Sequence, residues 1–95
     1  MAEVQTHTNA GEMTQLFVQF VMIHQQQALL ALGRHPSPPP GAPGANLTIA
    51  KTFIDQLVMI RAKTLGNLSG DEGTLLNAAI SSLQTTYAEE SAKRS

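Results

Sequence analysis

All five prolines of this 95-residue chain fall between His35 and Gly44, as Pro36, Pro38, Pro39, Pro40 and Pro43. Proline lacks an amide hydrogen and disfavours helix in the residue before it, so no regular element runs through this stretch. The chain is thereby cut at a Pro/Gly-rich linker, residues 33–45, with one apolar segment before it and a longer periodic segment after it. At about 3.1 Å per residue in polyproline geometry, a dozen such residues span roughly 37 Å, longer than the roughly 30 Å of a twenty-residue helix. The linker thus leaves the direction of the first segment open and lets that segment dock on its own chain or on another. A proline-rich ligand for an aromatic groove is the functional alternative. The spacing from Arg34 forms no basic-x-x-Pro-x-x-Pro pattern, and the plain linker is preferred.

Before the cut, the spacing predicts a helix from Glu12 to Leu32, with Leu16, Phe20, Ile23 and Leu30 on one stripe and Phe17, Val21, Ala28 and Ala31 beside it. Gly33 supplies the stop. Between Leu16 and Ile23 seven of eight residues are apolar. A surface helix needs only one apolar arc, so this one is expected to bury two faces, one on its own chain and one on another. Leu16, Phe17, Phe20, Val21 and Ile23 are therefore the expected oligomer interface, with a homodimer as the product. Residues 1–11 are polar and aperiodic and read as a disordered tail.

After the cut, Leu47, Ala50, Ile54 and Leu57 mark a second helix, widened by Ile49, Phe53 and Ile60. Asn46 is its expected N-cap and Gly66 its left-handed stop, with Lys63 at the negative end of the helix dipole. Ser69-Gly70-Asp71-Glu72 then spells a capping box, and Leu76, Ile80, Leu83 and Tyr87 carry a third stripe. Two helices joined by so short a connector lie antiparallel, with Leu68 tucked under the turn. The structural turn is Lys63, Thr64, Gly66, Asn67 and Ser69, where Thr64 and Asn67 are expected to satisfy backbone groups. Gly70 and Gly73 weaken the start of the third helix, which is expected to fray there. Its stripe ends at Tyr87, so residues 12–88 are read as a single helical domain and residues 89–95 as a frayed tail. The expected fold is all-α: three helices, the last two an antiparallel hairpin, the first joined by the Pro-rich linker, in a bundle formed between subunits.

At these residues the chain resembles a known family. Ile54-Asp55, Leu57, Lys63-Thr64, Gly66-Asn67-Leu68, Leu75-Leu76, Leu83 and Tyr87, with Ala28-Leu29 and Leu32-Gly33 upstream, are similar to domain-of-unknown-function family 1844 (DUF1844). The likeness covers about Phe17 to Tyr87, and the Lys-Thr-x-Gly-Asn-Leu string is its most specific part. Ser69 stands where the family pattern leads one to expect Thr. The resemblance implies a small helical bacterial protein and carries over no catalytic residue.

Composition narrows the partners. A formal charge of −1 without any Lys/Arg cluster removes the basis for binding nucleic-acid phosphates, and 4% aromatic residues give little for base stacking. There is no cysteine, hence no disulfide and no thiolate metal site. The most apolar stretch, Leu16 to Leu32, is interrupted by His24-Gln25-Gln26-Gln27 and leaves a run too short to cross a bilayer. The first residues hold Glu3 and Glu12 and no apolar run, so no secretory signal is read and a cytoplasmic protein is expected. Asn46-Leu47-Thr48 and Asn67-Leu68-Ser69 are accordingly read as helix-cap chemistry rather than glycosylation sites. Without tails and linker, roughly sixty residues remain for a core, a size at which a partner often completes the fold.

Candidates for chemistry are few. His7, His24 and His35 lie in three different segments without the i, i+4 spacing of helical metal ligands, so neither metal nor cofactor is expected. His24 facing its own copy across a dimer axis would make association sensitive to pH. Asp55 has Lys51 one turn before it, which favours an ion pair over general acid or base work, since no second catalytic group is positioned. Lys63, Thr64 and Asn67 could meet an anion at the helix start near Ser69, but Asp71 and Glu72 would repel it. Met13, Met22 and Met59 read as core filling. The expected function is protein–protein interaction, self-assembly or an adaptor role, without catalysis. A small enzyme or ligand-binding protein with a site near Asp55, Lys63 and Asn67 is the alternative, and a membrane-surface role for the first helix lacks the basic face it needs.

Overall fold

The computed structural model of the chain describes residues 10–41 and 44–94. Among the described residues it holds three helices and no strand: α1, Ala10–Ala31; α2, Leu47–Lys63; α3, Gly70–Lys93. Cross-contacts give the directions. His24 on α1 meets Gln56 on α2, and the Asn46 amide donates to the Ala31 carbonyl, so α1 and α2 run antiparallel. Arg61 meets Asn77 across the α2–α3 hairpin, also antiparallel. Thr14 meets Glu72 at one end and Arg34 meets Glu90 at the other, which makes α1 parallel to α3. The bundle is up-down-up. The direction of the first helix, open in the sequence, is set by these end contacts.

The core is a single cluster in which Val21, Ala28 and Leu32 from the α1 region meet Ala50, Ile54 and Leu57 of α2 and Leu76, Ile80 and Leu83 of α3. On α2 and α3 these are the positions that helical periodicity assigns to inner faces, while on α1 they lie beside the main stripe, and the mutual exclusion of water from them holds the helices together.

Helix termini follow the expected cap chemistry with small displacements. Asn46 Oδ1 accepts from the Ile49 amide at the start of α2. At α3 the box is complete: Ser69 Oγ accepts from the Glu72 amide and Glu72 Oε1 accepts from the Ser69 amide. The expected fraying of that first turn does not occur, because this box is joined by Thr14, whose hydroxyl donates to Glu72 at 2.6 Å. The α2 helix stops at Lys63, ahead of Gly66, because Thr64 closes it by donating both its amide and its hydroxyl to the Ile60 carbonyl. Gly66 still takes the left-handed conformation, at φ +85, within the turn.

Three further expectations change. Residues 1–9 of the anticipated tail lie outside the described residues, while Ala10 and Gly11 already belong to α1. The linker does not act as a long spacer. It leaves α1 through Gly33 (φ +74), where Arg34 N–H donates to Leu29 O and Gly33 N–H to Leu30 O, the paired bonds of a Schellman stop. It then returns to where it began, as Asn46 N–H donates to Ala31 O at 2.7 Å, so its two ends meet as in an Ω-loop. Finally, α3 continues past Tyr87 to Lys93 in place of a frayed tail. The reason lies across the bundle: Glu90 is buried and takes Arg34 from the loop, with Lys93 at 3.1 Å on its own helix.

Candidate interaction face

From Met13 to Gly33 the chain contains no Asp, Glu, Lys or Arg. The helical period of roughly 100° per residue sorts this uncharged stretch into two apolar arcs about 120° apart. The inner arc is Phe17, Val21, Ala28 and, just past the helix end, Leu32, all within or against the core. The outer arc is Met13, Leu16, Phe20, Ile23 and Leu30, interrupted only by Gln27. Its members remain in water: Met13 and Leu16 are 58% exposed and Ile23 59%. The five expected interface residues are thus divided. Val21 is enclosed in its own chain's core and Phe17 packs against it, so only Leu16, Phe20 and Ile23 are open to a partner.

The adjacent edge of α2 extends this face through Ile49 and Phe53. Beneath the seam, His24 Nε2 donates to Gln56 Oε1 at 2.9 Å. Its ring lies tilted over Phe20, with centroids 4.3 Å apart, and meets the edge of Phe53 at 5.7 Å. His24 Nδ1 is shielded from solvent and has no hydrogen-bond partner among the described residues. The imidazole is therefore engaged by its own α2, which places it at the base of the face. Toward the C-terminal end of α1 the two helices part into a groove of about 280 Å³, walled by Gln27, Leu30 and Ala31 on one side and Ile49 and Phe53 on the other. One end of the face is thus concave, while at the other end Met13 and Leu16 lie open to solvent.

The remaining candidate residues have structural roles. Lys51 Nζ pairs with Asp55 at 2.6 Å on the surface of α2, as the i, i+4 spacing implies, and this raises the Lys51 pKa. Lys63 lies eight positions further along the helix from Asp55, about 12 Å at 1.5 Å per residue. Asp55 instead borders a small surface cleft with Gln84 and Tyr87, so Asp55, Lys63 and Asn67 do not converge. At the turn, Thr64 closes α2 and the Asn67 amide donates to the Thr64 carbonyl. A cleft of about 550 Å³ opens beside this turn, with Arg61, Ser69 and Asn77 in its lining. Two of its polar groups already have structural roles, since Arg61 donates to Asn77 and Ser69 caps α3.

Two carboxylates are displaced from ordinary behaviour, and both act as staples. The Thr14 hydroxyl, followed by the Ser69 amide, holds the Glu72 carboxyl below the usual carboxylate range. Arg34, followed by Lys93, does the same for Glu90. In return Glu90 and then Glu89 raise the pKa of Arg34. No group of three His, Asp or Glu residues able to hold a metal occurs among the described residues. His35 accepts from the Ser37 amide within the loop, and His7 lies outside the described residues. No described helix is long and apolar enough to cross a membrane.

The family model described as a domain of unknown function, DUF1844, matches residues 14–89. The chain belongs to the DUF1844 family. The matched DUF1844 span opens at Thr14, which reaches Glu72, and closes at Glu89, which pairs with Arg34. It therefore coincides with the three-helix unit and includes the outer arc of α1 from Leu16 onward. Neither the curated proteins nor the solved structures contain a match to this DUF1844 chain.

Sequence reasoning passed over Phe53, Gln56 and Ile49 as parts of this face. For Ile49 and Phe53 the signal was present as the second, wider edge of the α2 stripe, whereas the polar Gln56 gave none. What was lacking was the direction of α1, without which that edge has no neighbour. Arg34 and Glu90 were missed outright, because nothing local connects a loop residue to one so far along the chain.

Proposed function

We propose that this chain is a protein–protein interaction module without catalysis, and that its first partner is a second copy of itself in a homodimer. One observation carries the proposal: a helix without charge from Met13 onward presents Met13, Leu16, Phe20 and Ile23 to water on the side away from its own core. Contiguous apolar patches of this kind mark interaction sites on soluble domains. Burying the parts of these side chains still in water contributes on the order of 1 kcal/mol each, about 8 kcal/mol for the eight side chains of two copies. That is comparable with the roughly 4–15 kcal/mol lost in association, so a concentration-dependent dimer is the expected form. A face without charge also meets its own copy with no like-charge repulsion, which favours self-association over a partner chosen by charge. A cytoplasmic site of action belongs to the same proposal and is tested by cell fractionation.

Sedimentation equilibrium over a wide concentration range tests the reading, with helix content followed on the same samples. The wild-type mass is expected to approach two chains, and Phe20→Asp to hold it at one chain with the helical signal retained. A fully helical wild type that stays at one chain across the range overturns it.

A further inference from the structure

We infer that two copies meet through antiparallel α1 helices about a two-fold axis between Val21 and Met22, so that Met13 and Leu16 of each copy enter the other's α1–α2 groove. This rests on the dimer reading above and adds the geometry of its interface.

Two observations on the face specify the arrangement. The outer positions Met13, Leu16, Phe20, Ile23, Gln27 and Leu30 are spaced three, four, three, four, three. That series reads the same from either end, so a two-fold axis across its centre sets Phe20 against Ile23, Leu16 against Gln27 and Met13 against Leu30. An isologous dimer requires such self-complementarity. The shape of the face agrees with it. Its N-terminal end carries the exposed side chains of Met13 and Leu16, and its C-terminal end carries the groove of about 280 Å³ between Leu30 and Ile49. Antiparallel pairing fits knob to groove twice and closes the contact. Parallel pairing would instead oppose two grooves and leave voids, with the knobs stacked on each other and Gln27 on Gln27.

Electrostatics points the same way, and the size of the face suits a stable contact. With no formal charge from Met13 to Gly33, the helix dipoles are the main fixed charges along the seam, and antiparallel alignment sets unlike ends together. The face is roughly 33 Å long, the length of α1, and about 20 Å across two helices packed 8–10 Å apart. That footprint of roughly 650 Å² is near the roughly 800 Å² per partner of a standard stable interface. The resulting seam is an α1 pair flanked by two α2 helices, a four-helix layer between the copies.

The chain has no cysteine, so one introduced at the exposed Gly11 carries a spin label at a unique position. Gly11→Cys lies off the seam, and circular dichroism checks that the labelled chain keeps its helices. In the antiparallel dimer residue 11 of one copy lies opposite residue 32 of the other, so dipolar spectroscopy is expected to read about 30 Å or more between labels. In a parallel dimer the labels sit within about 20 Å, one interhelical distance plus the label arms. A dimeric mass with the short distance overturns this arrangement and leaves the homodimer standing. A monomeric mass with no dipolar coupling overturns both. A dimeric mass with the long distance, abolished by Leu16→Asp, supports the arrangement.

Discussion

Leu83 and Leu16 offer the same side chain in opposite environments, and truncating each to alanine separates the chain's own core from its outer face. Leu83 is completely buried on α3, in the cluster that includes Leu57, Leu76 and Ile80. Leu83→Ala removes three carbons from that site. At about 0.8 kcal/mol each, the transfer loss is roughly 2.4 kcal/mol. A residual hole of about 50 Å³ adds roughly 1.2 kcal/mol, for a total of about 3.5 kcal/mol, within the range known for buried Leu→Ala changes. A domain of this size has roughly 4–12 kcal/mol of stability, so the variant forfeits a large part of it. Leu16 is 58% exposed, which leaves less than half of the same transfer loss, about 1 kcal/mol, and opens no closed cavity. The assay is urea unfolding followed by circular dichroism, at a concentration low enough for one-chain mass and again at high concentration. At low concentration the Leu83 variant is expected to lose about three times as much stability as the Leu16 variant. At high concentration the Leu16 penalty grows, because association stabilises only the wild type by mass action. Equal losses for the two variants in the one-chain regime, or a Leu83→Ala loss below about 1 kcal/mol, would refute the assignment of inner and outer faces.

Stability is expected to fall in acid. Glu72 and Glu90 are held below their ordinary value of 4.5 in the folded chain, so their contribution is present above that pH and disappears as pH falls through the lowered folded values. Melting temperature measured from pH 7 down to pH 2 checks this, and Glu90→Gln should lower the plateau and flatten the acid slope. Gly33→Ala is expected to cost more than Gly66→Ala in thermal melts: both positions have positive φ, but a Cβ at Gly33 meets the Ala45 Cβ at 3.3 Å, whereas at Gly66 the space is open. Each forced left-handed residue costs about 1–2 kcal/mol, and equal costs for the two would show that the loop end yields freely.

Much of the fold was legible because its signals are local. The apolar stripes, the Asn46 cap and the Ser69–Glu72 box each depend on residues within one or two turns, and each appears where periodicity and capping place it. The extra turns of α3 were not legible, since Ala88 to Lys93 has no stripe of its own and is held by Glu90 reaching Arg34. The loop was misjudged for a related reason: proline content limits local conformation, but the bond from Asn46 to Ala31 decides whether a loop spans or returns. Of the candidate face, the surplus of apolar residues on α1 was visible in the sequence. The division into an inner arc with Val21 and an outer arc with Leu16, Phe20 and Ile23 was not.

By itself the sequence determined three helices, the stops between them and an apolar α1 with more hydrophobic surface than one contact can bury. These follow from dihedral preference, caps and a period of 3.6 residues, which act over a few positions. Only the tertiary structure decided that α1 runs parallel to α3, which arc of α1 turns inward, and that one end of the outer face opens into a groove. Those outcomes depend on pairs such as Thr14 with Glu72 and Arg34 with Glu90, separated by 58 and 56 residues. Such pairs meet only after the helices have packed, when burial of the common core has brought distant segments together.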